Sequence, residues 1–172
     1  MPLTQLIPAI GDRELTAGPG NWTGDFAWEP GPVWGETGFL AFDLPTAGLT
    51  KHALLNYPAF KCPPNSGITI DLLWYIDPAF MKGCPHFIYL LDGVYELTGE
   101  NHMSWMGFGW GTTNYLIITP PDWDQLNATL DLRILSPELP PSYAYYKNFS
   151  ATTPVGPTVT RPDHLSSMGV GR

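Results

Sequence analysis

The sequence predicts an all-β protein, an antiparallel β-sandwich with an extended arm at each end, and three observations carry that expectation. Nineteen prolines and eighteen glycines among 172 residues favour short elements joined by tight turns. Apolar residues recur with a period of two in several runs, and none of those runs shows a helical period over ten residues or more. A hydrophobic fraction of 44% with 13% aromatic residues supplies a core and argues against a disordered chain.

Residues 1–20 carry Pro2, Pro8, Gly11, Gly18, Pro19 and Gly20, hold no steady period, and read as an extended arm. A sandwich body follows over 21–135. It opens with DFAWEPG, TGFLAFDLP and KHALLNYPAF, three short apolar runs bounded by proline or glycine. GITIDLLWYID (67–77) is the clearest strand, with Ile68, Ile70, Leu72, Trp74 and Ile76 on one face and Thr69 and Asp71 on the other. HFIYLLDGVYELTG (86–99) reads as a hairpin turning at Asp92-Gly93, a dipeptide suited to a type I′ turn because both central residues need positive φ.

SWMGFGWGTTNYLIITPP (104–121) resembles a glycine-rich phosphate loop at first sight. It lacks the Gly-x-Gly-x-x-Gly spacing, the closing Lys-Ser/Thr and a following helix, so a nucleotide site is excluded. As a strand it puts Met106, Phe108 and Trp110 on one face and Gly107, Gly109 and Gly111 on the other. NATLDLRIL (127–135) closes the body with Leu130, Leu132 and Ile134 inward and Thr129, Asp131 and Arg133 outward. About eight short strands at this spacing fit a jelly roll or an immunoglobulin-like sandwich, and the jelly roll is preferred because no Cys…Trp…Cys spacing of the immunoglobulin kind is present.

Residues 136–172 form a second, proline-rich arm in this reading. Four aromatics, Tyr143, Tyr145, Tyr146 and Phe149, fall within seven residues of it, which gives the arm apolar groups to bury against partners.

The net charge of −8 sits wholly in residues 21–135, which hold twelve acids and four bases. An acidic body with near-neutral ends is a poor nucleic-acid binder, because phosphate contacts need clustered Lys and Arg. No apolar run approaches the length that spans a bilayer. MPLTQLIPAIGDRE shows neither a basic n-region nor a continuous h-region, so the sequon-like triplets at Asn21, Asn127 and Asn148 read as chance.

Cys62 and Cys84 are too few for a disulfide framework and read as buried thiols, with one cross-strand bridge as the alternative. His52, His86, His102 and His164 lie in unlike contexts, and no hydrolase or zinc-protease motif is present, so neither catalytic residue nor cofactor is expected. Asp122 and Asp124 flank Trp123 after two prolines. They read as turn acids rather than a glycosidase pair or a Ca²⁺ site, and no metal is expected.

The order of NWTGDFAWEPG, ALLNYPAF, PPNSGITIDLLWYID, LLDGVYEL and NYLIITPPDWDQLNATLDLRIL resembles the carbohydrate-binding-module type of jelly roll that recurs in bacteriophage virion proteins. The resemblance spans roughly residues 21–135. It implies one of two functions. Sugar-binding relatives stack aromatic faces on pyranose rings, and the tryptophans available here are Trp22, Trp28, Trp34, Trp105 and Trp110. Structural relatives build particles.

Two proline-stiffened arms favour the second function. The expectation is therefore a capsid decoration protein on the outer surface of a virion, binding the major capsid protein and copies of itself as a homotrimer. Trp22, Trp28, Trp34, Tyr143, Tyr145, Tyr146 and Phe149 are its expected contact residues. The alternative is a carbohydrate- or receptor-binding module of a tail fibre or host-attachment apparatus, whose ligand is a glycan.

Overall fold

A computed structural model describes residues 2–76, 85–99, 109–136 and 142–154. Two antiparallel sheets face each other. The larger contains β3 (Ala27–Glu29), β4 (Phe39–Leu44), β11 (Ser142–Pro154), β6 (Gly67–Ile76) and β9 (Gly109–Ile118) in that order, and β1 (Leu3–Gln5) also pairs with β11. The smaller runs β2 (Thr23–Gly24), β5 (Thr50–Asn56), β10 (Thr129–Leu135), β7 (His86–Leu91) and β8 (Glu96–Thr98). This is the expected jelly-roll sandwich. The only helix among the described residues is α1 (Ile10–Glu14).

The core lies where the inward faces of the two sheets meet. Ile68, Ile70, Leu72 and Ile76 of β6 and Leu130, Leu132 and Ile134 of β10 are all buried, as their period of two requires. β6 and β9 pair over ten residues without a shift of register. On that ladder Gly111 lies opposite Trp74, and a Cβ at residue 111 would stand 2.0 Å from the indole. The bare face of the glycine stretch is thus the floor under one tryptophan. The predicted positions 106–108 fall outside the described residues.

The hairpin between β7 and β8 turns one residue later than expected. Asp92 N–H donates to Tyr95 O at 3.3 Å, which makes Gly93 and Val94 the central residues. Only Gly93 has positive φ, at 89°, the pattern of a type II′ turn with glycine first. The Asp92 carboxylate decides the shift, since it accepts the N–H groups of Val94 and Tyr95 at 2.9 and 2.6 Å and that of Asp124 at 3.0 Å.

Neither expected arm survives over its described part. Residues 3–5 add a strand to the larger sheet, and Leu6, Ile7 and Leu15 enter the core. Residues 142–154 form β11, hydrogen-bonded to β4 on one side and β6 on the other. The prolines that suggested an arm, Pro137, Pro140, Pro141 and Pro154, bracket this strand instead of interrupting it.

A β-bulge between Lys147 and Ser150, with Asn148 at φ 53°, reverses the alternation along β11. Ala144 and Tyr146 face the core before the bulge, and Phe149 and Ala151 face it afterwards. Cys62 is a buried free thiol whose pKa burial pushes up to about 12, and Cys84 lies outside the described residues.

Candidate functional site

The expected contact residues separate cleanly by which way their strands turn them. Trp22 is 3% exposed, packs at a tilt against Phe149 with ring centres 4.4 Å apart, and donates its Nε1–H to Asp12 O at 2.7 Å. Trp28 is half-buried with its Nε1–H on Leu15 O at 2.9 Å. Tyr146 and Phe149 are fully inside. Trp22, Tyr146 and Phe149 are therefore core residues and not the expected contacts, while Trp28 is only half-buried and tied to the body by its indole bond. On the outer side of the larger sheet the Tyr75 ring meets those of Trp34, Tyr145 and Trp110, and Tyr143 is 39% exposed. Trp105 lies outside the described residues.

The outer face of the smaller sheet carries a different set of groups. Because Leu130, Leu132 and Ile134 point inward, Thr129, Asp131 and Arg133 point out from the central strand β10. The register sets His52 of β5 and Phe87 of β7 beside Arg133. Leu54 and Tyr89 flank Asp131, and Asn56 and Leu91 flank Thr129. Glu96 and Thr98 of β8 continue the rows past Leu91 and Tyr89.

Arg133 organises this face. Its guanidinium carbon stands 3.9 Å from the centre of the Tyr89 ring, a cation–π arrangement. Nε donates to Asp131 and Nη1 to Glu96, both at 2.7 Å. Asp131, 2% exposed, also meets His52 Nδ1 at 3.1 Å. Burial works against the Arg133 charge, but the bonds to Glu96 and Asp131 outweigh it and raise its pKa. The same bond to Arg133 holds the Glu96 carboxyl below its usual range. The result is a planar, charged, preorganised cluster beside an aromatic ring.

At the hairpin end of this face a depression of about 390 Å³ is lined by Leu91, Val94, Tyr95, Glu96, Asn127 and Thr129. The Tyr95 hydroxyl donates to Asp122 at 2.9 Å, which raises its pKa. Asp124 caps its own turn by accepting the N–H of Leu126 at 2.9 Å. Asp122 and Asp124 are turn acids, as expected. No group of three His, Cys, Asp or Glu among the described residues is placed to hold a metal ion.

An aromatic ring with hydrogen-bonding groups fixed around it can stack on the C–H face of a sugar and bind its hydroxyls, and it needs no reaction to do so. Comparisons of the whole chain bear on the fold that carries this face. No family model and no curated protein sequence matches the chain.

Solved structures do match. A xylan-binding domain of CBM family 22 has a TM-score of 0.61 at 12% identity, over 82% of this chain and 92% of that one. The N-terminal cellulose-binding domain of a Cellulomonas fimi β-1,4-glucanase has a TM-score of 0.55 at 12% identity, over 86% of this chain and 98% of that one. The chain has a jelly-roll fold similar to that of carbohydrate-binding modules. A third match is the enzymatically active domain of tailspike protein 4 of bacteriophage CBA120, with a TM-score of 0.57 at 11% identity over 87% of this chain and 22% of that one.

The alternation of β10 turns Thr129, Asp131 and Arg133 outward without giving them a role, and no motif in the sequence marks His52. The signal that was available is the Asp-x-Arg pair on an outward row; its partners Tyr89, Glu96 and His52 come from strands that only the register brings together.

Proposed function

We propose that this chain is a non-catalytic glycan-binding module whose ligand lies across the outer face of the smaller sheet. The observation that carries the proposal is Arg133, stacked on Tyr89 while fixed by Asp131 and Glu96. Tyr89 offers a pyranose the ring face opposite Arg133, and the remaining guanidinium N–H groups and the exposed Glu96 carboxylate offer hydrogen bonds to vicinal hydroxyls. Fixing them in advance lowers the ordering cost of binding. Asp131 and Glu96 set against Arg133 leave no surplus positive charge among them, which favours neutral sugars over uronates. Matched structures named for xylan and cellulose binding support that class.

The capsid-staple reading rested on two arms. Residues 3–15 and 142–154 fold into the body instead, and that argument goes with them. A place in a phage host-attachment apparatus is compatible with the glycan reading, and the tailspike match supports it.

Isothermal titration of the full chain with cellohexaose, xylohexaose and β-1,4-galactotetraose tests the proposal. The expected result is saturable binding of at least one oligosaccharide, weakened tenfold or more by Tyr89→Ala. No binding at millimolar sugar, or binding that Tyr89→Ala leaves unchanged, would overturn it.

A further inference from the structure

Six of the large apolar residues that stand exposed among those described share one surface, the outer side of the larger sheet: Leu3, Trp34, Trp110, Leu116, Ile118 and Tyr143. Strand alternation puts five of them there. Tyr115 and Ile117 of β9 are buried, so Trp110, Leu116 and Ile118 turn outward. Ala144 and Tyr146 of β11 are buried, so Tyr143 turns outward. Beyond the bulge Ala151 and Thr153 are buried, so Thr152 and Pro154 turn outward with their partners Gln5 and Leu3. Trp34 joins the surface from its turn, with its ring 5.7 Å from that of Tyr75.

These groups gather at two ends with a polar band between them. Asp71 of β6 lies opposite Asn114 of β9, and the Asn114 amide donates to it at 2.7 Å. On β9, Trp110 and Ile118 each stand four residues from Asn114, and Thr112 and Leu116 each stand two. The outer pair therefore lie about 13 Å to either side, at about 3.3 Å per residue. On β6, Tyr75 and Gly67 stand four residues to either side of Asp71. Tyr75 is built up by Trp34, whereas Gly67 is bare, and a Cβ there would meet only Leu116 at 3.8 Å. One end is a knob and the other a hollow.

Area and charge decide what covers this surface. An aromatic side chain offers about 150–250 Å² and the six groups are 37–69% exposed. Their apolar area is on the order of 500 Å², at the upper end of the patch that a monomer shows. With Thr69, Thr112, Asn114 and Thr152 between them, the surface comes to about the 800 Å² per partner of a stable protein interface. The chain carries a net charge of −8, yet the outward charges of β11, β6 and β9 among the described residues are Asp71 and Lys147, and Lys147 is matched to Glu36 at 3.3 Å. A second acidic copy can approach here without the repulsion it meets elsewhere.

We propose that this face is a self-interface, in which two copies pack the outer sides of their larger sheets together about a two-fold axis that lies in the interface and crosses β6 and β9 at Asp71 and Asn114. Such an axis reverses each strand end for end. Trp110 of one copy then meets the partner's Ile118, Thr112 meets the partner's Leu116, and the knob of Trp34 on Tyr75 enters the hollow over the partner's Gly67. A second copy also leaves a mark that no other partner leaves. The axis sets Asp71 against the partner's Asp71, and like charges so placed weaken the pair. The Arg133 face lies on the opposite sheet, so the dimer carries both of those faces outward, and the interface stands or falls independently of what they bind.

Analytical ultracentrifugation of the full chain, from micromolar to near-millimolar concentration, tests the interface, with circular dichroism to establish that each variant is folded. The expected result is a reversible monomer–dimer equilibrium. Leu116→Lys weakens it at least tenfold, and adding Thr112→Glu to that variant restores it to within threefold, because the two positions meet across the axis. Within one chain they stand about 13 Å apart along β9. Asp71→Asn tightens the dimer at least threefold by removing the paired charges. A chain that stays monomeric throughout overturns the proposal. So does a dimer that Leu116→Lys leaves intact, one that Thr112→Glu does not rescue, or one that Asp71→Asn loosens.

Discussion

Arg133 stacks on Tyr89 with its guanidinium carbon 3.9 Å from the ring centre, while two of its nitrogens are committed to Asp131 and Glu96. A lysine cannot reproduce this, because an ammonium is a point charge with no planar fork. Arg133→Lys keeps the charge and loses the stack and one of the two bonds. The expected outcome is a glycan affinity at least tenfold weaker, about 1.4 kcal/mol, with the fold retained. Titration calorimetry alongside circular dichroism checks both halves. Full affinity in the lysine variant would mean that charge alone carries recognition.

Much of the sandwich was legible because its strands obey a period of two. β6 and β10 show their buried faces in the order of residues alone. β11 was not legible, for two reasons. Prolines stand on both sides of it, and the bulge at Asn148 shifts the inward residues from Tyr146 to Phe149, a spacing that no simple alternation produces. The candidate site was half legible. The outward Asp131 and Arg133 follow from the pattern of β10, but Tyr89, Glu96 and His52 reach them through pairing between strands up to 79 residues distant. Of the aromatics, only burial separates Trp22 from Trp34, since each is flanked by residues equally at home in a turn.

Gly111 shows how tightly two neighbouring strands of the larger sheet, β6 and β9, are fitted. Trp74 lies over it and is fixed by an Nε1–H bond to Thr113 Oγ1 at 3.0 Å, so the indole cannot yield to a methyl group 2.0 Å away. Gly111→Ala is expected to cost about 3 kcal/mol, at the upper end for overpacking. Urea unfolding should show a lower midpoint with an unchanged slope. Gly11→Ala in α1, where a Cβ meets nothing within 4 Å, is the control and should be neutral or slightly stabilising.

His86 makes stability depend on pH. Burial lowers its pKa from 6.5 to about 3, and Tyr115 and Tyr146 pack edge-on against its ring at 6.0 and 5.7 Å. The unfolded chain takes up a proton near pH 6.5 and the folded one does not. The contribution of the neutral imidazole is therefore complete above 6.5 and is lost progressively as pH falls towards 3. Between pH 6.5 and 5 the loss should approach 2 kcal/mol, at about 1.4 kcal/mol per unit. Staying above pH 5 avoids the carboxylates Asp92 and Glu96, whose lowered pKa values contribute in the same direction but further into acid. Chemical denaturation of the parent and of His86→Leu over that range is the measurement. A parallel pH dependence in the two proteins would remove His86 as its source.

The place of β11 yields the sharpest contrast between a strand and an arm. A chain ending at Ser136 loses the strand between β4 and β6 and exposes both of their edges. It also loses Ala144, Tyr146, Phe149 and Ala151 from the core. Two large aromatics alone account for about 3–6 kcal/mol of burial, and the unpaired backbone of two strands adds to that. Domains of this size hold only about 5–15 kcal/mol in total. The truncated chain should therefore be unfolded or aggregated, with far-ultraviolet circular dichroism and amide NMR dispersion both collapsed. A dispensable arm would leave a folded body that had lost only a partner, so a dispersed NMR spectrum from the truncated chain would contradict the central position of β11.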